Sequence, residues 1–273
     1  MVYVQIDPRS TRLGNWLFQY SAALTAHPSD RVAFYVVGGR HLAEPQDYAE
    51  LWPEAEYVSE LPAGVHPIEG LFQDCKFLDR NLVRERLKCP NRVEKLIAGK
   101  YGQFLEHGPV GISVRRGDYL RLPHRHPFVG EKYLRRAVEY SRDKGVTSFL
   151  VCSDDIAWCK KFFKDKCFGN CAFAFVEGED VLTQLFIQSK CRGNILSNSS
   201  FSWWGAYLGD DNRDVIFPSM WYGPAVAIKD WSGLYFEGAK VIKNGYTPRL
   251  WIKARWCMMK NFAGDILRKL HLR

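Results

Sequence analysis

Val110-Gly111-Ile112-Ser113-Val114 is a short run poor in charge, and it stops at Arg115-Arg116-Gly117-Asp118. A buried strand that ends in charge is the repeating unit of a parallel sheet, whose ligands gather at the carboxyl ends of the strands. The unit recurs. Ser148–Cys152 runs into Ser153-Asp154-Asp155, Ala172–Val176 into Glu177 and Asp180, and Gly193–Ser197 into Asn198-Ser199-Ser200-Phe201-Ser202, while Val215–Phe217 is a further apolar run. Helical patterns fill the gaps at Glu131–Lys144, Ile156–Phe163, Val181–Cys191 and Phe201–Gly209. This alternation predicts an α/β fold with a parallel sheet between helices, and the polar clusters predict a binding site along one sheet edge.

Upstream the pattern is weaker. Val2–Ile6 reads as a strand, Arg12-Leu13-Gly14-Asn15 as a tight segment, Trp16–Ala26 as an amphipathic helix and Val32–Val37 as a second strand. Proline, glycine and aromatics then dominate through Pro67 with little periodicity. The expected division is a smaller, less regular α/β domain at 1–107, the regular sheet domain at 108–245 and a basic helical tail at 246–273.

With 47% hydrophobic and 25% charged residues in a chain of 273, disorder is excluded as the main state. The net charge of +8 admits nucleic acid, an anionic membrane or a phosphorylated small molecule as partner. Nucleic acid is set aside, because the basic residues are not interleaved with aromatics on one patch and no nucleic-acid motif occurs. The strongest local excess is in the tail, where Arg249, Lys253, Arg255, Lys260, Arg268, Lys269 and Arg273 face only Asp265. That tail is expected either to lie on an anionic membrane as a basic amphipathic helix or to pack back across the domains. No run of 18 apolar residues exists, and Met1-Val2-Tyr3-Val4-Gln5-Ile6-Asp7 lacks the layout of a signal peptide, so a cytoplasmic protein with peripheral contact to the inner membrane surface is expected. The eight cysteines form no CxxC pair and read as reduced, mostly buried thiols rather than metal ligands.

The polar clusters limit the chemistry. Adjacent arginines suit bidentate phosphate recognition, or form a surface pair with Asp118. Since neighbouring strand residues point to opposite faces, one arginine should meet the ligand and the other should anchor the loop. Ser199, Ser200 and Ser202 can cap a helix while its free N–H groups hold phosphate oxygens. Asp180 either caps a helix or accepts from guanine, and Asp155 reads as a cap. There is no P-loop, no GxGxxG after a strand and no Asp-x-Asp, so a leaving diphosphate would be stabilised by arginine and backbone N–H groups, without a metal. His124, His126 and Glu131 follow the arginine loop closely enough to be candidate general bases, or are plain surface-loop residues.

Together these motifs resemble a known family. Ser113-Val114-Arg115-Arg116-Gly117-Asp118-Tyr119 is similar to the HxRRxDY motif of α-1,2-fucosyltransferases and their α-1,6- and protein-O-fucosyltransferase relatives. Asn198–Ala206 resembles NSTFSWWxA of the α-1,2 group, Gly14–Gln19 resembles GNxxFQ, and Ser153-Asp154-Asp155 resembles FSDD. The likeness is to bacterial-type α-1,2-fucosyltransferases, glycosyltransferase family eleven. It implies a GT-B architecture of two Rossmann-like domains, the C-terminal one binding the nucleotide. It also implies inverting, metal-independent transfer of L-fucose from GDP-fucose to a glycan hydroxyl, the 2-OH of a terminal galactose, on a glycan or lipid-linked oligosaccharide. By position, Arg115 would bind the β-phosphate with Ser199, Ser200 and Ser202 beside it, and Asp118 would support the loop. Asp180 would hold guanine, and Gly14 and Asn15 would wall the cleft. Ser113 stands where the motif has histidine, so a contact to the nucleotide is altered. A different GDP-sugar or linkage, or a non-catalytic relative, is the alternative.

Overall fold

The computed structural model describes residues 1–38 and 43–271. In the N-terminal half, β1 (Val2–Ile6), β2 (Val32–Val36) and β3 (Glu56–Val58) form a parallel sheet in that order, and Ile68 bridges to Val4 on the open side of β1. Helix α1 (Leu13–Ala26) connects β1 to β2, and α2 (Arg80–Arg86) and α3 (Asn91–Glu106) lead towards the second half.

There, β4 (Val110–Val114), α4 (Glu131–Asp143), β5 (Ser148–Ser153), α5 (Ile156–Phe162), β6 (Ala172–Phe175), α6 (Val181–Ser189), β7 (Gly193–Ile195), α7 (Ser200–Tyr207), β8 (Asp214–Pro218) and β9 (Lys240–Ile242) alternate along the chain. The six strands are all parallel, in the order β6-β5-β4-β7-β8-β9. Renumbered from β4, that is the doubly wound dinucleotide-fold order, with the switch point between β4 and β7. The expected architecture of two Rossmann-like α/β units, the larger parallel sheet in the C-terminal half, is what forms.

The central strands are buried along most of their length because both faces of the sheet are covered. Val110, Ile112 and Val114 pack with Tyr133, Leu134 and Val138 of α4 and Phe162 of α5. The opposite face of β5, Leu150 and Cys152, joins a cluster with Leu185 of α6, Trp203 and Trp204 of α7, and Phe18 and Leu17 of α1. That cluster continues into Val4, Ile6 and Phe34 of the small sheet, so one apolar core links the two halves.

One local expectation is corrected by this packing. Helix α1 is buried almost all round, from Leu13 to Leu24, because it lies between the small sheet and α7 rather than at the surface. Four elements are not signalled in the sequence reading: α2 has only seven residues, α3 buries a single stripe of Val93, Ile97 and Tyr101, and β3 and β9 have three residues each. Helix α8 (Pro248–His271) closes the described chain, and Leu272 and Arg273 of the expected tail lie outside the described residues.

Candidate active site at the switch point

The loop after β4 is built around Arg115. Its Nη2 donates to Asp118 Oδ1 at 2.8 Å and its Nη1 lies 3.0 Å from Asp154 Oδ2. A guanidinium has five N–H donors, so two carboxylates can fix its plane while others remain free. The side chain is 41% exposed, which leaves those donors open to a ligand.

Arg116 is the anchor. Its Nε donates to Asp155 Oδ2 at 3.0 Å, its backbone N–H donates to Asp154 Oδ1 at 2.8 Å, and its guanidinium lies 3.9 Å from the Trp158 ring centroid. One arginine thus anchors the loop, and Asp118 pairs with the exposed Arg115 rather than with the anchoring Arg116. Gly117 is required by the same packing, since a Cβ there would sit 2.6 Å from Asp154 Oδ2. Asp155 also caps α5 through Trp158 N–H, as its position suggested.

Three carboxylates outnumber two guanidiniums in this loop, so net charge does not draw an anion to it. Oriented donors must do so instead. The neighbouring strand supplies more of them. Ser199 is the N-cap of α7 and makes no side-chain cap bond, so the first-turn N–H groups are not capped by its side chain. Tyr119 O–H donates to Asn198 O at 2.9 Å and ties the arginine loop to this helix start.

The other candidates divide. Ser199 and Ser200 are half-buried at the start of α7. Ser202 is fully buried and donates to Ser197 O and Ser199 O, both at 2.9 Å, so its hydroxyl stabilises the turn and does not reach the crevice. Ser113 is buried in β4 in register with Cys152. Asp180 is not part of this cluster. It caps α6, accepting from Thr183 N–H at 2.7 Å, and its other oxygen pairs with Arg92. Partial burial pushes its pKa up, but the Thr183 and Arg92 hydrogen bonds outweigh that and hold it below the usual value. Each oxygen thus already accepts one hydrogen bond, from Thr183 of α6 and from Arg92 of α3.

Asn15 follows Gly14, which packs against Ser200 and Phe201 at the start of α7, and it is held by a relay that the sequence did not signal. Gln73 Nε2 donates to Asn15 Oδ1 at 2.7 Å, and Tyr222 O–H donates to Gln73 Oε1. Burial pushes the Tyr222 pKa up to about 12, which keeps that proton in place. The relay fixes the Asn15 amide with its NH₂ group unspent. Asp154 was legible in the sequence as part of the SDD triplet, whereas nothing marked Gln73 or Tyr222.

The two histidines also separate. His124 is buried, with Nε2 3.0 Å from Asn261 Nδ2 of α8, and so faces the tail helix. His126 stacks on Tyr119 with centroids 4.4 Å apart, beside the arginine loop. Burial lowers the pKa of His126 from its ordinary 6.5, and the nearby Asp118 only partly opposes this. The imidazole is therefore neutral at pH 7, as a general base must be. If it is the base, kcat/KM falls with an acid limb below about pH 6.5, and His126→Gln removes that limb. A limb that persists unchanged in the variant sinks the assignment. The stability effect has its own sign: a depressed pKa means protonation favours the unfolded chain, so stability present above the ordinary pKa is lost as pH falls.

A doubly wound sheet with an arginine–carboxylate loop and an uncapped helix start on either side of its switch point defines an α/β protein whose candidate ligand crevice is at that place. Residues 40–225 match the family model "Glycosyl transferase family 11", and the chain belongs to that family. Among curated relatives, it is 31% identical over 122 residues to the O-antigen biosynthesis glycosyltransferase WbnK of Escherichia coli, covering 41% of this chain and 38% of that one. It is 32% identical over 118 residues to an E. coli alpha-1,2-colitosyltransferase, 41% of each. It is 29% identical over 140 residues to human galactoside alpha-(1,2)-fucosyltransferase 1, 46% of this chain and 38% of that one. The chain thus spans about two fifths of the length of the curated relatives it matches. A solved E. coli heptosyltransferase, WaaC with ADP, is similar at a TM-score of 0.45 and 12% identity over 89% of this chain and 94% of that one.

Proposed function

We propose that the chain is an inverting glycosyltransferase that moves L-fucose from GDP-fucose to a glycan hydroxyl, the 2-OH of a terminal galactose, without a metal. The observation that carries the reading is Arg115, held by Asp118 and Asp154 at the switch point beside the open start of α7. In such a transfer the acceptor oxygen attacks the anomeric carbon while the bond from that carbon to the diphosphate breaks. Charge develops on the departing phosphate oxygen, and donors already aimed at that place stabilise it without reorganising. The free Arg115 N–H groups and the α7 backbone N–H groups are suited to this. The acceptor proton goes to a base, for which His126 is the better placed of the two histidines. Family membership and the names of the α-1,2 relatives support the same reading.

The second reading is another sugar on the same nucleotide. It is favoured by Ser113 in place of the motif histidine and by the relative named for colitosyl transfer. A glycan carried on a lipid at the inner membrane surface is the proposed form of the acceptor, its pocket shaped by residues 1–107.

The test is a donor panel of GDP-fucose, GDP-mannose and UDP-galactose with galactose-terminated oligosaccharides, run in excess EDTA, with the product linkage read by NMR. Transfer from GDP-fucose to O2 of galactose is expected. Activity abolished by EDTA and restored by manganese overturns the metal-free account; turnover with a different donor alone selects the second reading.

A further inference from the structure

We propose that the outer face of α8 docks this protein onto an anionic lipid bilayer. The inner side of the helix is accounted for. Ala254 is fully buried, Lys253 Nζ donates to Leu120 O at 2.7 Å, and Asn261 meets His124. The opposite side carries Ile252 (67% exposed), Trp256 (58%), Met259 (63%) and Phe262 (69%). Their spacing of four, three and three residues sets them along one face of the helix. Four large apolar groups in a row, all mostly in water, are a surface that needs a partner.

The charges around the stripe say which kind. Arg249, Arg255 and Lys260 accompany it, and no acidic residue occurs between Pro248 and Ala263. Lys260 Nζ lies 5.5 Å from the Trp256 ring centroid, so cation and aromatic are presented together. An exposed mix of tryptophan, aliphatic and basic side chains suits the headgroup boundary of a bilayer with negative lipids. Two copies of the chain meeting through this face would bring like charges together on a protein already at +8. The helix does not cross the membrane: no helix among the described residues is long and apolar enough. It would lie in the surface plane.

The placement has a consequence for the crevice. The inner side of α8 rests on the segment from Leu120 to His124, which leaves the arginine loop directly, and Tyr246 O–H donates to Pro123 O on the same segment. Docking therefore holds the switch-point edge near the lipid surface. This last step, unlike the docking itself, rests on the proposed transfer to a lipid-borne acceptor.

Sedimentation of the full chain with vesicles tests the docking without donor or acceptor. Binding is expected to vesicles of phosphatidylglycerol and phosphatidylcholine in equal parts, to weaken as salt rises, and to be much weaker with phosphatidylcholine alone. The double variant Ile252→Glu/Trp256→Glu should partition at least about tenfold less. Arg249→Glu/Arg255→Glu, which keeps the apolar stripe, should lose the preference for the anionic lipid. Circular dichroism checks that both variants fold, and transfer to a soluble acceptor is expected to be unchanged. Equal pelleting of the wild type and the first variant overturns the proposal. So does a wild-type dimer in gel filtration that the first variant dissolves, together with absence of vesicle binding. Because the readout is sedimentation, its failure leaves the transfer reaction standing, and failure of transfer leaves the docking standing.

Discussion

Arg115→Lys is expected to lower the rate of sugar transfer by about 100-fold or more, the usual loss when one oriented donor to a developing anion is removed. The positive charge survives in lysine, so the loss comes from geometry. In the native loop the guanidinium bridges Asp118 and Asp154 and still has N–H groups to offer. An ammonium has three donors at one point. Held by both carboxylates, it would have little left for a phosphate; turned to a phosphate, it would release the carboxylates. Because Asp118, Asp154 and Asp155 already outnumber the two arginines, the loss of orientation is not made up by net charge. Stability should change little, since half-exposed ion pairs contribute about 0–1 kcal/mol. The measurement is kcat/KM with GDP-fucose, with calorimetric titration of GDP and thermal unfolding alongside. Near-normal turnover by Arg115→Lys would remove Arg115 from the phosphate site.

The second large effect is on stability, at the seam between the halves. Trp204 is fully buried, its indole Nε1–H donates to Gly14 O at 2.9 Å, and Phe18 lies 5.0 Å from its ring. Trp204→Ala should destabilise the fold by about 3–5 kcal/mol, from lost burial and the cavity left behind. Gly14→Ala approaches the same seam from the other side. Its Cβ would stand 2.6 Å from Ser200 Oγ and 2.7 Å from Phe201 N, and the second of these is backbone that cannot turn aside. Helices α1 and α7 would have to separate, at about 1–3 kcal/mol for an overpacked site. The added methyl would also stand over the first-turn N–H groups of α7, so GDP binding should weaken along with stability. Urea titration monitored by tryptophan fluorescence gives the first quantity and calorimetry the second. Wild-type stability in Gly14→Ala would mean that the seam is looser than these distances.

Much of this is legible in the sequence. The central strands after 107 are readable because both faces of the sheet are covered there, so they carry few charges. Their order along the chain put Arg115, Asp154 and Ser199 at strand ends without further argument. Helix α3 is written as plainly, in the single stripe Val93, Ile97 and Tyr101.

What the chain alone determined, then, is whatever depends on period and local chemistry: a parallel α/β sheet, the edge where its polar clusters gather, the cap at Asp155, and the motifs of its family. Spacing cannot say which of several eligible donors points where, because that depends on what else packs against the same atom. Only the tertiary structure made Arg116 an anchor by laying it on Trp158, turned the Ser202 hydroxyl inward to Ser197 and Ser199, and occupied Asp180 with Arg92. It alone joined Asn15 to Gln73 and Tyr222, residues 58 and 149 positions apart in their two hydrogen bonds. A contact between distant parts of the chain leaves no period in the sequence, so nothing short of the folded core could have named it.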